Sequence, residues 1–196
     1  MFRVILSVEE IDYNALIDMV AELVKQNKDN PALKGMKIPA MGFSMVKGLP
    51  KSQKNSMLAM VVNQDKARTI QTLQSVLAAR FGAAQVLDVQ GSATDNGVNL
   101  QADIGAFDFN RAIDIFLPRY LKNTDFNEAL GDDEADKMSM DEFCRCVKEL
   151  PLNDKEVVFL RSVRMKKNEF LADMESIAKA KGVSVNLTEL KILVRR

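Results

Sequence analysis

The chain has 196 residues, of which 47% are hydrophobic and 28% are charged, a composition typical of globular proteins. Its formal net charge is zero, which argues against general binding to nucleic acid, because such binding needs an excess of cations. Histidine is absent, and this excludes histidine-based catalytic triads, histidine bases and nearly all zinc sites.

The chain opens with a predicted strand, because Phe2, Val4, Leu6 and Val8 alternate with other residues. Its apolar part is too short for a signal peptide, and no stretch of the sequence approaches the roughly 20 apolar residues of a membrane span. We therefore expect a cytoplasmic protein that has no membrane partner.

Further elements in the first part of the chain are predicted from the spacing of apolar residues and from residues that typically start or end helices. Asp12 stands where a helix N-cap belongs, and apolar residues at helical spacing follow it. The predicted elements after Asp12 are a helix over 13–24, a shorter helix over 38–49, an apolar strand over 57–62, a helix over 65–81 and a strand over 85–89.

Asp95-Asn96-Gly97 lies between two alternating stretches and predicts a hairpin. The elements predicted before the hairpin then recur after it. They are a strand over 98–104, a helix over 109–120 capped by Asp108, a helix after the capping box of Ser139 and Glu142, a strand over 157–163, a helix over 167–180 and a final strand within 183–194.

Short phrases of sequence also recur in order. IDYNALID at 11–18 matches FDFNRAID at 107–114, and VKGLPKSQK at 46–54 matches VKELPLNDK at 147–155. QSVLAARFG at 74–82 weakly matches ESIAKAKG at 175–182. The repeated phrases predict a tandem duplication, with a first repeat over 1–94 and a second over 97–196.

The predicted fold class is α+β, with a duplicated β-α-α-β-α-β unit, about six strands and helices packed on the sheet. Each unit resembles a ferredoxin-like order whose second strand is replaced by a helix. Strand-helix-strand units favour parallel pairing. The repeats are expected to be related by a pseudo-two-fold axis, and they can pack as one domain. A duplication of this kind replaces a two-fold homodimer, so we expect a monomer or a weak dimer.

Polar residues on otherwise apolar strands are the first candidate site. Two interpretations are open: a polar site between the repeats that binds a small anion, or a solvated open face. The candidate residues are Arg3, Asn99, Gln101, Asp103 and Arg161.

The Leu-Pro dipeptides at 49–50 and 150–151 indicate helix exits, because the residue before proline avoids the α region. An alternative interpretation of the repeated phrase is that Lys54 and Lys155 form a symmetric pair that binds an anion.

No catalytic residue, metal site or cofactor is predicted from the sequence. Cys144 lies on an apolar stripe and is expected in the core, and Cys146 is expected to be more exposed, without a neighbouring cation to activate it. The acidic stretch over 125–136 lacks the ligand pattern of a Ca²⁺ loop and is interpreted as a solvated connector.

The sequence therefore favours a non-catalytic cytoplasmic binding or protein-interaction module. The alternative is a protein that binds a small anionic ligand, or an enzyme without histidine, with a polar site between the two repeats.

Overall fold

Four strands form one antiparallel sheet in the computed structural model, which describes residues 1–26, 40–81 and 84–194. Their order across the sheet is β2-β3-β1-β4, so β2 and β4 are the edges. The strands are β1 (Phe2–Glu9), β2 (Ala84–Ala93), β3 (Gly97–Phe107) and β4 (Asn186–Val194).

Nine helices connect the strands within the described ranges. Between β1 and β2 lie α1 (Tyr13–Gln26), α2 (Ala40–Gly48), α3 (Lys51–Gln64) and α4 (Lys66–Phe81). Between β3 and β4 lie α5 (Phe109–Tyr120), α6 (Phe126–Leu130), α7 (Met140–Glu149), α8 (Leu152–Met165) and α9 (Lys167–Ala180).

Strand pairing joins the first segment of the chain (1–94) to the second (97–196). The neighbours of β1 are β3 and β4, and the neighbours of β3 are β1 and β2. In the register of β1 with β3, Ile5 is opposite Gln101 and Arg3 is opposite Asp103. The two strands of each segment are therefore not neighbours, and the sheet needs both segments.

The sheet has one apolar face, which carries the helices, and one polar face. The apolar face includes Phe2 and Val4 of β1, and Ile104 of β3, all of which pack into the main core. A smaller core lies towards the other end of the sheet, where Val98 packs with Ile17 of α1 and neighbouring residues. Since the helices sit on one side, the molecule has two layers and an open polar face.

Phenylalanine rings run through the main core. Phe116 and Phe159, for example, lie 5.5 Å apart between ring centroids in an edge-to-face arrangement. Such ring pairs contribute about 0.5–1.5 kcal/mol beyond their burial. A continuous set of ring contacts joins Phe2, Phe107, Phe109, Phe159, Phe116, Phe170 and Phe81.

The helix starts predicted from the sequence are confirmed. The carboxylate of Asp12 accepts a hydrogen bond from the backbone N–H of Ala15 at 2.9 Å, and that of Asp108 accepts from Arg111 at 3.0 Å. The capping box of Ser139 and Glu142 is also formed. The predicted start of the helix over 38–49 lies outside the described residues.

Two predicted strands are wrong. Residues 57–62 lie in α3 and residues 157–163 lie in α8, so the sheet has four strands and not about six over the described ranges. A short apolar run cannot be distinguished from a buried helix by periodicity alone. The backbone of Pro50 and Pro151, with ψ of 150° at each, is extended and directly precedes the helices α3 and α8.

The predicted parallel pairing is also wrong, since every neighbouring pair in this sheet is antiparallel. The expectation depended on a single helix between consecutive strands. Helices replace the two missing strands, and the chain returns to the sheet in the opposite direction.

The predicted hairpin is confirmed between β2 and β3. The backbone N–H of Thr94 donates to the carbonyl oxygen of Gly97 at 2.9 Å, and the N–H of Gly97 donates to the Thr94 hydroxyl at 3.0 Å. A Cβ atom at position 97 would clash with the carbonyl oxygen of Val8 on β1. Glycine is therefore required there by the close approach of β1.

The acidic stretch over 125–136 is folded, which corrects the expectation of a solvated connector. Phe126, Ala129 and Ala135 are completely buried. The Phe126 ring stacks on Phe143 of α7 with 3.9 Å between centroids. This stretch therefore packs against α7 and α8 as a small folded unit.

Candidate functional site

Arg3 and Asp103 lie together on the open polar face of the sheet. Arg3 Nε and Nη2 donate to Asp103 Oδ1 and Oδ2 at 2.6 and 2.8 Å, which is a bidentate pair across β1 and β3. The hydrogen bond to Asp103 raises the pKa of Arg3. An anion that bound Arg3 would have to compete with this carboxylate.

Gln101 and Asn99 lie on the same face as Arg3 and Asp103. Gln101 Nε2 donates to Gln90 Oε1 of β2 at 3.4 Å, and Asn99 is paired in register with Ser7 and Ser92. Four of the five predicted ligand residues therefore share one face, and ligand binding by them stays a prediction.

Asp88 of β2 extends the polar face towards the helices. Its Oδ1 accepts a hydrogen bond from Lys66 Nζ at the start of α4, over 2.7 Å. This hydrogen bond lowers the pKa of Asp88.

Arg161 lies away from the polar face, because the strand predicted for it is helix α8. Its Nη1 donates to the carbonyl oxygens of Glu128 and Ala129, at 3.1 and 3.3 Å, near the end of α6. The next residues turn at Gly131, whose φ of 78° suits glycine. Arg161 therefore connects α8 to the acidic stretch.

Lys54 and Lys155 occupy matching positions in the first turns of α3 and α8. Lys54 Nζ donates to the carbonyl oxygen of Lys47 at 2.6 Å, whereas Lys155 Nζ donates to Asn110 Oδ1 at 2.7 Å. Each ammonium group is thus bonded within its own segment, and the symmetric anion pair stays a prediction.

The environments of Cys144 and Tyr120 do not favour their nucleophilic forms. Cys144 is buried, as expected, and burial raises the pKa of its thiol. Burial also raises the pKa of Tyr120, together with its hydrogen bond to Asp173, to about 12. In the described ranges, no group of three or more Cys, Asp or Glu side chains is arranged to hold a metal ion.

A groove of about 480 Å³ opens between α4 and the apolar face of the sheet. We call it the α4 groove. Its wall is formed by Thr69, Leu73 and Val76 of α4. Its floor comes from the two central strands, with Val4 and Leu6 from β1, and Leu100 and Ala102 from β3.

The two ends of the α4–α9 layer differ, because aromatic rings lie at one end and the α4 groove lies at the other. Phe81 of α4 and Phe170 of α9 lie 5.8 Å apart and cover the sheet there. The positions 101 residues away are Gly182 and Thr69. Gly182 follows the end of α9, and a Cβ atom there would meet nothing within 4 Å.

The mouth of the α4 groove faces α9. A second cavity of about 590 Å³ lies between α4 and α9, and it shares Arg68, Thr72 and Val76 with the α4 groove. Lys181 also lines this outer cavity. The lining residues that the structure describes thus include two cations at the mouth and no acid.

A smaller cavity of about 110 Å³ lies under the aromatic end of the same layer, and Val4 lines both this cavity and the α4 groove. All its described lining residues are apolar, among them Phe81 and Phe116. A further cavity of about 380 Å³ follows the edge strand β4 beside α8 and α9, and it includes no residue of the central strands.

Sequence reasoning missed every residue of α4 that lines the groove. The available signal was the weak match between 74–82 and 175–182, in which Phe81 is replaced by Lys181 or Gly182. No pattern in the sequence showed that part of the sheet beside α4 would stay uncovered.

Comparison with known proteins gives no further assignment, since no protein-family model, curated protein or solved structure matches this chain. Within the described ranges, none of the helices combines the length and the apolar character needed to cross a membrane.

Proposed function

We propose that this protein is a non-catalytic binding protein and that the α4 groove holds an apolar part of a small molecule. The observation that carries the proposal is the uncovered apolar floor at the centre of the sheet. A volume of about 480 Å³ falls within the usual range of ligand pockets, which is about 300–1,000 Å³.

Binding is favoured over catalysis by the chemistry of the lining. The polar groups that the structure places around the α4 groove are hydroxyls, amides and the Arg68 guanidinium. The described lining includes no carboxylate, thiol or phenol that could act as a base or nucleophile at neutral pH. The protein partner predicted from the sequence stays a prediction.

The test is the binding of N-phenyl-1-naphthylamine, a neutral apolar dye whose fluorescence rises in apolar sites. Thr69→Phe places at position 69 the ring that Phe170 supplies at the opposite end, so it should fill the groove and reduce dye binding at least 10-fold. Ala78→Phe, at an exposed position of α4, is the matched control and should bind like the wild type. Equal binding by all three proteins would refute the groove as the site.

We propose separately that residues 1–94 and 97–196 are tandem copies of one β-α-α-α-α-β unit, with α6 as an additional short helix in the second copy. Matching ion pairs support this: Lys47 Nζ lies 2.6 Å from Asp18 Oδ1, and Lys148 Nζ lies 2.7 Å from Asp114 Oδ1. A chimaera in which 141–165 replaces 40–64 should then unfold cooperatively. A chimaera that shows no cooperative unfolding transition would count against the duplication.

A further inference from the structure

We propose that the ligand of the α4 groove is a single-chain amphiphile with a carboxylate head, such as a fatty acid. This inference rests on the proposed function, and it adds the charge of the ligand and its direction in the groove. The apolar tail lies on the sheet floor, and the head lies at the mouth towards α9.

The charge follows from the residues at the mouth. Arg68 and Lys181 both line the outer cavity, and its described lining has no acid. Asp65, the acid nearest to Arg68 in sequence, accepts a hydrogen bond from the backbone N–H of Arg68 at 3.4 Å. Among the described residues, no carboxylate forms an ion pair with the Arg68 guanidinium or with the Lys181 ammonium group.

The direction follows from the change in polarity along the groove. Thr72 and Arg68, at the mouth, offer hydrogen-bond donors to a carboxylate, and a guanidinium can bind both carboxylate oxygens at once. Further in, Leu73 faces the floor residues Leu100 and Ala102, which are apolar. A ligand with one polar end and one apolar chain satisfies both regions.

The experiment compares three probes that have the same tail: dodecanoate, dodecan-1-ol and dodecyltrimethylammonium. Each displaces N-phenyl-1-naphthylamine from the full-length protein in low-salt buffer at pH 8. Dodecanoate should bind about 10-fold more tightly than the alcohol. Its carboxylate accepts hydrogen bonds from charged donors, and a single hydrogen bond of that kind can account for about this ratio of affinities. The ammonium probe should bind most weakly.

Arg68→Gln should remove most of the preference for dodecanoate and leave the affinity for the alcohol unchanged, and Lys181→Gln should reduce the preference in part. Arg111→Gln, an exposed arginine of α5 outside the groove, is the matched control and should change neither affinity.

The two levels of the proposal fail differently. Equal affinity for the three probes, or a preference that Arg68→Gln leaves intact, would overturn the carboxylate head and leave the groove as a site for neutral molecules. Absence of dye binding and of probe binding in the wild type would overturn the proposed function itself.

Discussion

The hydroxyl of Tyr13 donates a hydrogen bond to the amide oxygen of Asn55 over 2.7 Å, and Asn55 is completely buried. The Asn55 amide nitrogen donates in turn to the carbonyl oxygen of Thr94 at 2.9 Å. One side chain of α3 therefore connects the start of α1 to the β2–β3 hairpin.

Loss of this connection should destabilise the protein. Tyr13→Phe removes one buried hydrogen bond and should lower the free energy of unfolding by about 1 kcal/mol. Asn55→Ala also leaves the Tyr13 hydroxyl and the Thr94 carbonyl without their partner, and it should cost about 3 kcal/mol. Urea denaturation measures both changes. If Asn55→Ala lowered the free energy of unfolding by less than Tyr13→Phe does, this account would be contradicted.

Gly97 should tolerate no side chain. Gly97→Ala forces β1 and β3 apart at the Val8 carbonyl, so we expect a loss of about 2–4 kcal/mol in thermal or urea unfolding. The matched control is Gly48→Ala at the end of α2, where a Cβ atom meets nothing within 4 Å. That substitution should be neutral or slightly stabilising, because alanine favours helix. Similar losses for the two variants would contradict the predicted clash.

Asp125 should contribute stability that depends on pH. Its Oδ1 lies 2.8 Å from Lys166 Nζ, and both side chains are less than one-fifth exposed. Burial alone would raise the pKa of Asp125, but the hydrogen bonds from Lys166 and from the Lys122 backbone outweigh burial and lower it. The stabilisation is therefore present above the unfolded-state pKa of about 3.9 and is lost as the pH falls through the lower folded-state pKa.

The measurement is the free energy of unfolding of Asp125→Asn at two pH values. We expect a loss of about 1–2 kcal/mol relative to the wild type at pH 7, and a clearly smaller difference at pH 2.5. Asp133→Asn, in the same acidic stretch but exposed, should differ little from the wild type at either pH. A loss that was independent of pH would show that the carboxylate charge is not the cause.

Neither segment should fold alone. If the chain is cut between Asp95 and Asn96, β1 loses both of its strand neighbours and β3 loses both of its own. We expect the separate fragments to show no cooperative unfolding, and an equimolar mixture to regain the strand signal in circular dichroism and to elute as one complex. A first fragment that unfolded cooperatively as a monomer would contradict the importance of this pairing.

The sequence was sufficient to predict β1, β3 and the hairpin, because strict alternation and Asn96-Gly97 act over a few neighbouring residues. It was insufficient for residues 57–62 and 157–163, because a short apolar run fits a buried strand and a buried helix equally well. Pro50 and Pro151 were interpreted as ends of the preceding helices, and that was correct. We did not predict that each proline also directly precedes a new helix, as the N-cap residue of α3 or α8.

The candidate site was predictable only within a strand. Alternation placed Asn99, Gln101 and Asp103 on one face, but the bidentate bond to Arg3 depends on strand order and register. The α4 groove depends on how α4 packs against β1 and β3, and these elements come from distant parts of the sequence. Such packing is established in three dimensions, and Thr69 by itself gives no indication of it.

The pairing of strands from different segments also affects how the chain folds during synthesis. A ribosome releases β1 well before β3, and β4 follows only after five more helices. During synthesis, β1 therefore lacks both of its strand neighbours for a time. Its apolar side chains are exposed, and both of its edges can pair with another nascent chain. Cells that make this protein quickly should depend on chaperones to keep newly made chains from aggregating.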